Sequence, residues 1–314
     1  MKKTLTVGSL SAAPGQKTQG FLTVPASDLR LPVTLINGSM PGKTVVVTGG
    51  IHGGEYPGVE TSIRLALQMN PDAISGQLIV VHPVNILAFF AKMQYLGPDD
   101  GKNLNRVFPG KATGTISERI AYTLTSELIS QADFYMDLHG GDIHENLMPF
   151  VIYSTAATPG VNQVSEAAAS LMGIQHIVGS VSTNGTFGAA AVVGVPGFLA
   201  EIGKCGRWNE EEVQAYLKGV KNVLKYLGLL VGKAEDLGPV VKLAKMIGVE
   251  AEQAGCWYPA VEVGATVAKG QRLGEIRDFF ANRLGEYVAP QDGLVLYVVS
   301  SLAINAGDPL IVLA

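Results

Sequence analysis

The chain has 314 residues, of which 47 % are hydrophobic and 16 % charged, and its formal net charge is -4. This composition favours a well-buried interior over disorder, and the lack of a basic block argues against nucleic-acid binding. No stretch approaches the roughly 20 apolar residues that span a bilayer, and the N-terminal segment lacks the apolar core of a signal peptide. With only Cys205 and Cys256, the sequence predicts a soluble, cytoplasmic protein without membrane or nucleic-acid partners.

The first three quarters of the chain alternate apolar runs with helical patterns. Pro57 stands where a first helical turn begins, and residues 59–69 follow with helical spacing. Residues 117–129 form a second such pattern, with Ser117 as the expected cap. Strands buried on both faces and separated by helices predict an α/β domain over residues 1–238, with a mainly parallel or mixed central sheet flanked by helices.

After residue 239 the sequence consists of short runs broken by glycines, with almost no helical period. This pattern predicts a smaller all-β domain over residues 239–314. Its phrases VEVGATVAKGQRLGEI and YVAPQDGLVLYV resemble the barrel-sandwich fold of biotinyl and lipoyl carriers. A carrier needs a modifiable lysine at a hairpin tip, whereas Lys269 lies in a Gly-flanked turn, so we interpret the domain as a structural or lid element.

The segment TGGIHGGEYPG sets His52 and Glu55 three residues apart, directly after an apolar run. A second apolar run, residues 134–138, ends at His139. In parallel sheets, ligands collect beyond the carboxyl ends of the strands, where these side chains are expected. Two imidazoles and one carboxylate are the ligand set of a hydrolytic zinc site with a free position for water. The sequence therefore predicts one Zn²⁺ per chain, held by His52, Glu55 and His139.

Two further carboxylates accompany the predicted metal site. Asp137 either holds a ring nitrogen of a ligand histidine or packs within the end of its strand. Glu201 follows an apolar run and suits a general base that takes a proton from water. The alternative for Glu201 is an ion pair with Lys204 or Arg207.

The loop GKNLNRVFPG supplies Asn105 and Arg106. An arginine beside an amide donor suits a carboxylate, because the guanidinium group can bind both carboxylate oxygens. Together with the metal site, this loop predicts a small substrate that carries a carboxylate.

The motifs H-x-x-E, N-L-N-R, D-L-H and E-x-G, in this order, resemble the succinylglutamate desuccinylase/aspartoacylase family of carboxypeptidase-like zinc hydrolases. The resemblance extends over most of the chain, including the β-rich C-terminal part. It implies zinc held by His52, Glu55 and His139, a general base at Glu201, and substrate contacts at Asn105 and Arg106.

Two departures from the family pattern bear on the substrate. Family members place an arginine shortly before a tyrosine, where it steadies the scissile carbonyl oxygen, but here Lys92 and Gln94 precede Tyr95. The oxyanion contact is therefore expected from zinc with Gln94 or Lys92. Residues 188–191, GAAA, lie where aspartoacylases carry an arginine that reads a side-chain carboxylate. Neither N-acetylaspartate nor succinylglutamate is thus predicted as the substrate.

The resulting hypothesis is zinc-dependent hydrolysis of a linear amide in a small N-acylated amino acid or related compound. A metallocarboxypeptidase or an esterase with the same zinc centre is the alternative, because the motifs do not report the leaving group. A non-catalytic metal or small-ligand binding protein is a more distant alternative, and the base at Glu201 argues against it. Association into a homo-oligomer through apolar faces stays open.

Overall fold

Helices and strands alternate in the computed structural model, which describes residues 3–314. The described strands are β1 (Leu5–Val7), β2 (Leu10–Ala12), β3 (Gln16–Thr23), β4 (Arg30–Asn37), β5 (Met40–Gly49), β6 (Ser75–Val81), β7 (Phe134–His139), β8 (Glu145–Leu147), β9 (Phe150–Ser154), β10 (His176–Ser180), β11 (Gly197–Glu201), β12 (Val241–Leu243), β13 (Ile247–Glu250), β14 (Gly255–Pro259), β15 (Thr266–Val267), β16 (Arg272–Arg277), β17 (Arg283–Val288), β18 (Gly293–Val299), β19 (Ala303–Ile304) and β20 (Pro309–Leu313). The α-helices are α1 (Tyr56–Gln68), α2 (Ile86–Ala91), α3 (Ile116–Thr123), α4 (Pro159–Ala169), α5 (Thr186–Val192) and α6 (Glu210–Tyr226). Short 3₁₀ turns cover Pro71–Ala73, Leu104–Arg106 and Ile129–Gln131, and a π-helical turn covers Leu124–Leu128.

Nine strands form one large sheet in the order β12-β10-β9-β11-β7-β5-β6-β4-β3. The four central strands, β11, β7, β5 and β6, run parallel to one another. On either side of them, β9 and β4 run antiparallel to their inner neighbours. The sheet is therefore mixed, and the predicted α/β fold class is confirmed. Every residue of β7 is buried, which explains its continuous apolar run.

Helices cover both faces of the large sheet. On one face, α1, α4 and α6 bury side chains such as Leu65, Ala168 and Val220 against the strands. On the other face, α3 and α5 contribute Ile120 and Phe187 to a second core. Removal of this apolar surface from water is the main stabilising term of the domain. None of the helices formed by residues 3–314 has both the length and the apolar character needed to cross a membrane.

The start of α3 differs from the prediction. The helix begins at Ile116, and Thr115 is its N-cap, with its backbone N–H donating to Glu118 Oε2 over 2.9 Å. Ser117 lies inside the first turn, where its backbone N–H and its hydroxyl both donate to the carboxylate of Asp100. The prediction of an N-cap at Ser117 was therefore wrong, because Glu118, which completes the capping box, stands three residues after Thr115.

The C-terminal part forms two antiparallel sheets, of order β13-β20-β18-β15 and β17-β16-β14-β19, around their own core. Two strand pairs join residues on opposite sides of the predicted boundary between residues 238 and 239. β12, which follows the boundary, extends the large sheet by pairing with β10, and β8, which precedes the boundary, pairs with β18 in one of the C-terminal sheets. These two exchanges attach the C-terminal sheets to the part of the chain that carries the predicted site residues.

Gly58 packs α1 directly onto β7, because a Cβ at this position would lie 2.2 Å from the carbonyl oxygen of Leu138. We expect Gly58→Ala to lower the free energy of unfolding by about 1–3 kcal/mol, since the helix has to move away from the strand. Denaturant unfolding measures the change. Gly160→Ala in α4 is the control, because a Cβ there meets nothing within 4 Å, and it should be neutral or slightly stabilising. Equal stability of the two variants would contradict this packing.

Candidate metal and catalytic site

Three neighbouring strands bring the predicted residues to one edge of the sheet. His52 and Glu55 follow β5, His139 ends β7, and Glu201 ends β11. β7 lies between β5 and β11, and the register pairs His139 with Glu201. Because the three strands are parallel, their carboxyl ends meet, and side chains up to 149 positions apart in sequence become neighbours.

The loop between β5 and α1 folds tightly because of its glycines. A Cβ at Gly53 would lie 2.2 Å from the backbone nitrogen of Phe89, so a larger residue would push the loop away from α2. Gly50 has a φ of +75°, in the left-handed region that favours glycine. The loop can thus turn within six residues and direct both His52 and Glu55 towards His139.

The ligand atoms of His52, Glu55 and His139 all lie within 4.8 Å of one another, and all three residues are buried. His52 Nδ1 is 2.7 Å from Glu55 Oε1, and His139 Nδ1 is 2.8 Å from Glu55 Oε2. The second contact lacks hydrogen-bond geometry, and Glu55 Oε2 has no hydrogen-bond partner among residues 3–314. A buried carboxylate oxygen without a hydrogen-bond partner is suited to contact with a cation.

The other ring nitrogen of each histidine faces an acceptor. His52 Nε2 lies 3.0 Å from Asn103 Oδ1, and His139 Nε2 lies 2.9 Å from Asp137 Oδ2. If both Nε2 atoms carry hydrogens, as these acceptors require, the Nδ1 lone pairs face the Glu55 carboxylate and need a cation between them. Two imidazoles and one carboxylate fit zinc.

Asp137 is itself held by hydrogen bonds. The hydroxyl of Thr48 donates to Oδ1 over 2.8 Å, and the hydroxyl of Thr186 donates to Oδ2 over 2.5 Å. Asp137 contacts a ring nitrogen of His139, as the first of its two predicted roles requires, and both residues are buried. This network holds the imidazole of His139 in one orientation.

Electrostatics inside the group agree with a cation-binding site. Burial favours a raised pKa for Glu55, but the two histidines outweigh it and lower the pKa to about 2. Burial favours a lowered pKa for His139, but Glu55 and Asp137 outweigh it and raise the pKa well above its usual value. The carboxylates of Glu55 and Asp137 therefore attract positive charge to this site, either as protons on the imidazoles or as a cation between them.

Glu201 lies beside His52, Glu55 and His139 but is not one of the residues whose ligand atoms converge. Its Oε2 is buried and has no hydrogen-bond partner in the part of the chain that the structure describes. Burial raises the pKa of Glu201 well above its usual value, and the charge of Glu55 raises it further. Lys204 and Arg207 are exposed and do not line the cavity that Glu201 faces. Glu201 thus stands as a separate carboxylate that can exchange a proton.

A cavity of about 620 Å³ opens over these residues. Asn105 and Arg106 both line it, so the structure brings them to the same space as the three predicted ligands. Asn105 Oδ1 accepts from the backbone N–H of Thr186 over 3.0 Å, which leaves its amide NH₂ group as a donor. Arg106 is exposed, and its Nη1 donates to the carbonyl oxygen of Asn105 over 2.9 Å.

The structure does not support the predicted oxyanion partners. Lys92 is exposed and does not line the cavity, and Gln94 lines a separate cavity of about 240 Å³. Tyr95 lines the main cavity instead, with its ring centroid 6.4 Å from that of His52. Its backbone N–H donates to Asp142 Oδ2 over 2.7 Å, and this bond holds the loop against the site.

Three further residues belong to the site but were not predicted from the sequence as site residues: Asn103, Glu145 and Tyr297. Asn103 belongs to the recognised N-L-N-R motif, and its side chain also caps the turn at Leu104–Arg106, which is a signal that a sequence can carry. Glu145 and Tyr297 line the cavity, but no local sequence motif marks them.

The C-terminal part of the chain supplies one wall of the cavity. Its lining residues are Met246, Gly248, Glu250, Tyr297, Gly307, Pro309 and Val312.

A family model described as the succinylglutamate desuccinylase/aspartoacylase catalytic domain matches residues 41–227. The chain belongs to this family. N-alpha-acetyl-L-2,4-diaminobutyric acid deacetylase of Halomonas elongata is 27 % identical over 311 residues, covering 94 % of this chain and 90 % of the relative.

Two solved structures of relatives are similar over nearly the whole chain. The product-bound ectoine utilization protein EutE (DoeB) from Ruegeria pomeroyi is 29 % identical, with a TM-score of 0.84 over 95 % of this chain and 94 % of that chain. The succinylglutamate desuccinylase/aspartoacylase from Rhodobacter sphaeroides is 28 % identical, with a TM-score of 0.83 and the same coverage of 95 % and 94 %. The similarity includes the C-terminal sheets and is not restricted to the catalytic domain.

Proposed function

We propose that this protein is a zinc-dependent deacylase that hydrolyses the linear amide bond of a small N-acylated amino acid. The observation that carries the proposal is the convergence of His52, Glu55 and His139 in one cavity beside the unpaired carboxylate of Glu201. These three residues would hold the ion. When bound, zinc supplies a positive charge that polarises an acyl carbonyl and lowers the pKa of a water molecule.

Glu201 acts as the general base in this proposal. It accepts a proton from the attacking water and returns the proton to the nitrogen that leaves with the amine product. Its burial supports the role, because a carboxylate in a poorly solvated position binds a proton more tightly than an exposed one. The unpartnered Oε2 is available to receive that proton.

Asn105 and Arg106 bind the carboxylate of the substrate. The guanidinium group supplies charge, and the amide NH₂ group of Asn105 supplies a hydrogen-bond donor deeper in the cavity. Fixing the carboxylate at two points aligns the acyl carbonyl with the attacking water, which lowers the entropic part of the barrier. The wall from the C-terminal part limits the access of bulk water and thereby strengthens these polar contacts.

The name of one relative supports an acetyl amide as the bond that is cleaved. The Halomonas elongata relative is a deacetylase of an α-N-acetylated amino acid, and it aligns over 94 % of this chain. We therefore propose an N-acetyl amino acid as the substrate, in preference to a peptide or an ester.

The test is a comparison of substrates with zinc-loaded protein of measured metal content. N-acetyl amino acids, N-succinyl amino acids, short peptides with free carboxyl ends and simple aryl esters are assayed in parallel. We expect the highest kcat/KM for an N-acetyl amino acid. Preferred cleavage of peptides would identify a carboxypeptidase, preferred cleavage of esters would identify an esterase, and lack of turnover on every acylated amino acid would overturn the proposal.

A further inference from the structure

One acidic residue of the cavity has no part in the proposed reaction. Glu145 is half-buried at the start of β8 and lines the same cavity as the catalytic residues. Its Oε2 accepts from the backbone N–H of Asp142 over 3.0 Å. Its Oε1 has neither a hydrogen bond nor an ion pair to any described residue. One oxygen thus positions the carboxylate, and the other is available to a ligand.

The cavity has an excess of negative charge. Of its described lining residues, Arg106 is the only lysine or arginine, whereas four are glutamates: Glu55, Glu145, Glu201 and Glu250. Glu55 and Glu201 have roles in the reaction, and Glu250 is exposed at the rim. Burial raises the pKa of Glu145 to about 7, and the charge of Glu55 contributes to the rise. A cation beside Glu145 would relieve this unfavourable burial of negative charge.

A second, independent feature lies next to Glu145. Tyr297 on β18 lines the cavity and is 6 % exposed, and its hydroxyl is buried without a hydrogen-bond partner within the described chain. β8 and β18 are antiparallel, and their register pairs Tyr297 with Leu147 and Val299 with Glu145. Tyr297 and Glu145 are therefore diagonal neighbours on one face, within reach of each other for an aromatic and a long side chain.

An unpaired hydroxyl is costly in a buried position unless a ligand supplies its partner. The free oxygen of Glu145 accepts hydrogen bonds, and the phenol of Tyr297 can also accept one. A primary ammonium group has three donors and a positive charge, so it can satisfy both acceptors at once. A carboxylate side chain would meet Glu145 with like charge, and a methyl group would leave both acceptors unpaired.

We propose that Glu145 and Tyr297 form a subsite that binds a primary ammonium group on the side chain of the substrate. This inference rests on the proposed deacylase function and narrows it to N-acylated diamino acids. Arg106 and Asn105 then hold the carboxylate at one point, and Glu145 holds the ammonium group at another. The subsite is built across the two parts of the chain, because Tyr297 comes from the C-terminal sheets.

The test compares Nα-acetyl-L-2,4-diaminobutyrate with Nα-acetyl-L-norvaline, in which a methyl group replaces the ammonium group. For the wild-type protein we expect kcat/KM to favour the cationic substrate by about 10–100-fold. Glu145→Gln should bring this ratio close to one, mainly through a higher KM for the cationic substrate. Glu145→Asp should restore part of the preference, and Tyr297→Phe should reduce it. Glu211→Gln, at an exposed position on α6, is the matched control and should keep the wild-type ratio.

Calorimetry with the two deacetylated amino acids measures binding to the zinc-loaded protein without requiring turnover. Selective binding of 2,4-diaminobutyrate that is lost in Glu145→Gln supports the subsite, even if neither acetyl compound is hydrolysed and the proposed deacylation fails. Hydrolysis of both compounds with the same ratio in the wild type and in Glu145→Gln keeps the deacylase and overturns the subsite. Equal losses on both substrates in Glu145→Gln also overturn it, because they indicate a structural role. Zinc content and melting temperature show whether each variant is folded.

Discussion

Replacement of Glu201 by glutamine is expected to lower kcat by about 10³-fold while the zinc content stays at the wild-type level. Glutamine keeps the size of the side chain but cannot accept the proton of the attacking water. Glu201 is not among the three residues whose ligand atoms converge, so the metal site should be preserved. The two measurements are steady-state kinetics on the best N-acetyl amino acid and metal analysis of the same sample.

The matched control for Glu201→Gln is Glu211→Gln, which makes the same chemical change at an exposed position of α6. It should leave both kcat and zinc content unchanged. If Glu201→Gln retained more than about a tenth of the wild-type kcat, the base would have to be another group. If it lost zinc, Glu201 would belong to the ligand set instead.

Replacement of His139 by alanine is expected to abolish zinc retention and, with it, turnover. Only His52 and Glu55 would remain, and two protein ligands are fewer than the three of catalytic zinc sites. Binding of an ion to the folded protein raises its melting temperature. Addition of zinc should therefore raise the melting temperature of the wild type and have little effect on His139→Ala. Metal analysis after dialysis and thermal unfolding with and without zinc provide the two readouts.

His176→Ala is the control for the metal prediction. His176 begins β10, which is separated from β7 by β9 and β11, and it does not line the cavity. This variant should bind zinc like the wild type. A His139→Ala protein that still bound one zinc per chain, with a zinc-dependent melting temperature, would show that the ion is held elsewhere.

Local patterns in the sequence were sufficient to predict the α/β class and the candidate ligands. An apolar run that stops at a histidine, as at His139, indicates both a buried strand and its carboxyl end. His52 and Glu55 follow a second such run and lie three residues apart, so their proximity needs no knowledge of the fold. The rule that ligands collect beyond the carboxyl ends of parallel strands joined these separate segments into one site, and the resemblance to the family implied the same residues.

Interactions that the sequence did not reveal depend on strand pairing over long distances. The subsite of Glu145 and Tyr297 exists only because β8 pairs with β18, and no periodicity reports that pairing. The position of Tyr95 in the cavity, in place of Lys92 or Gln94, depends on its bond to Asp142. A motif shows which residues are close along the chain, but not which loop reaches a given cavity.

The sequence by itself determined which side chains are available as metal ligands and as a base. Residue type and short spacing decide which atoms can bind a cation or exchange a proton. Tertiary structure alone decided the shape and charge of the space around those side chains, including the wall from the C-terminal sheets. The physical reason is range: ligand chemistry is a property of individual side chains, whereas a cavity results from packing of segments that are far apart in sequence.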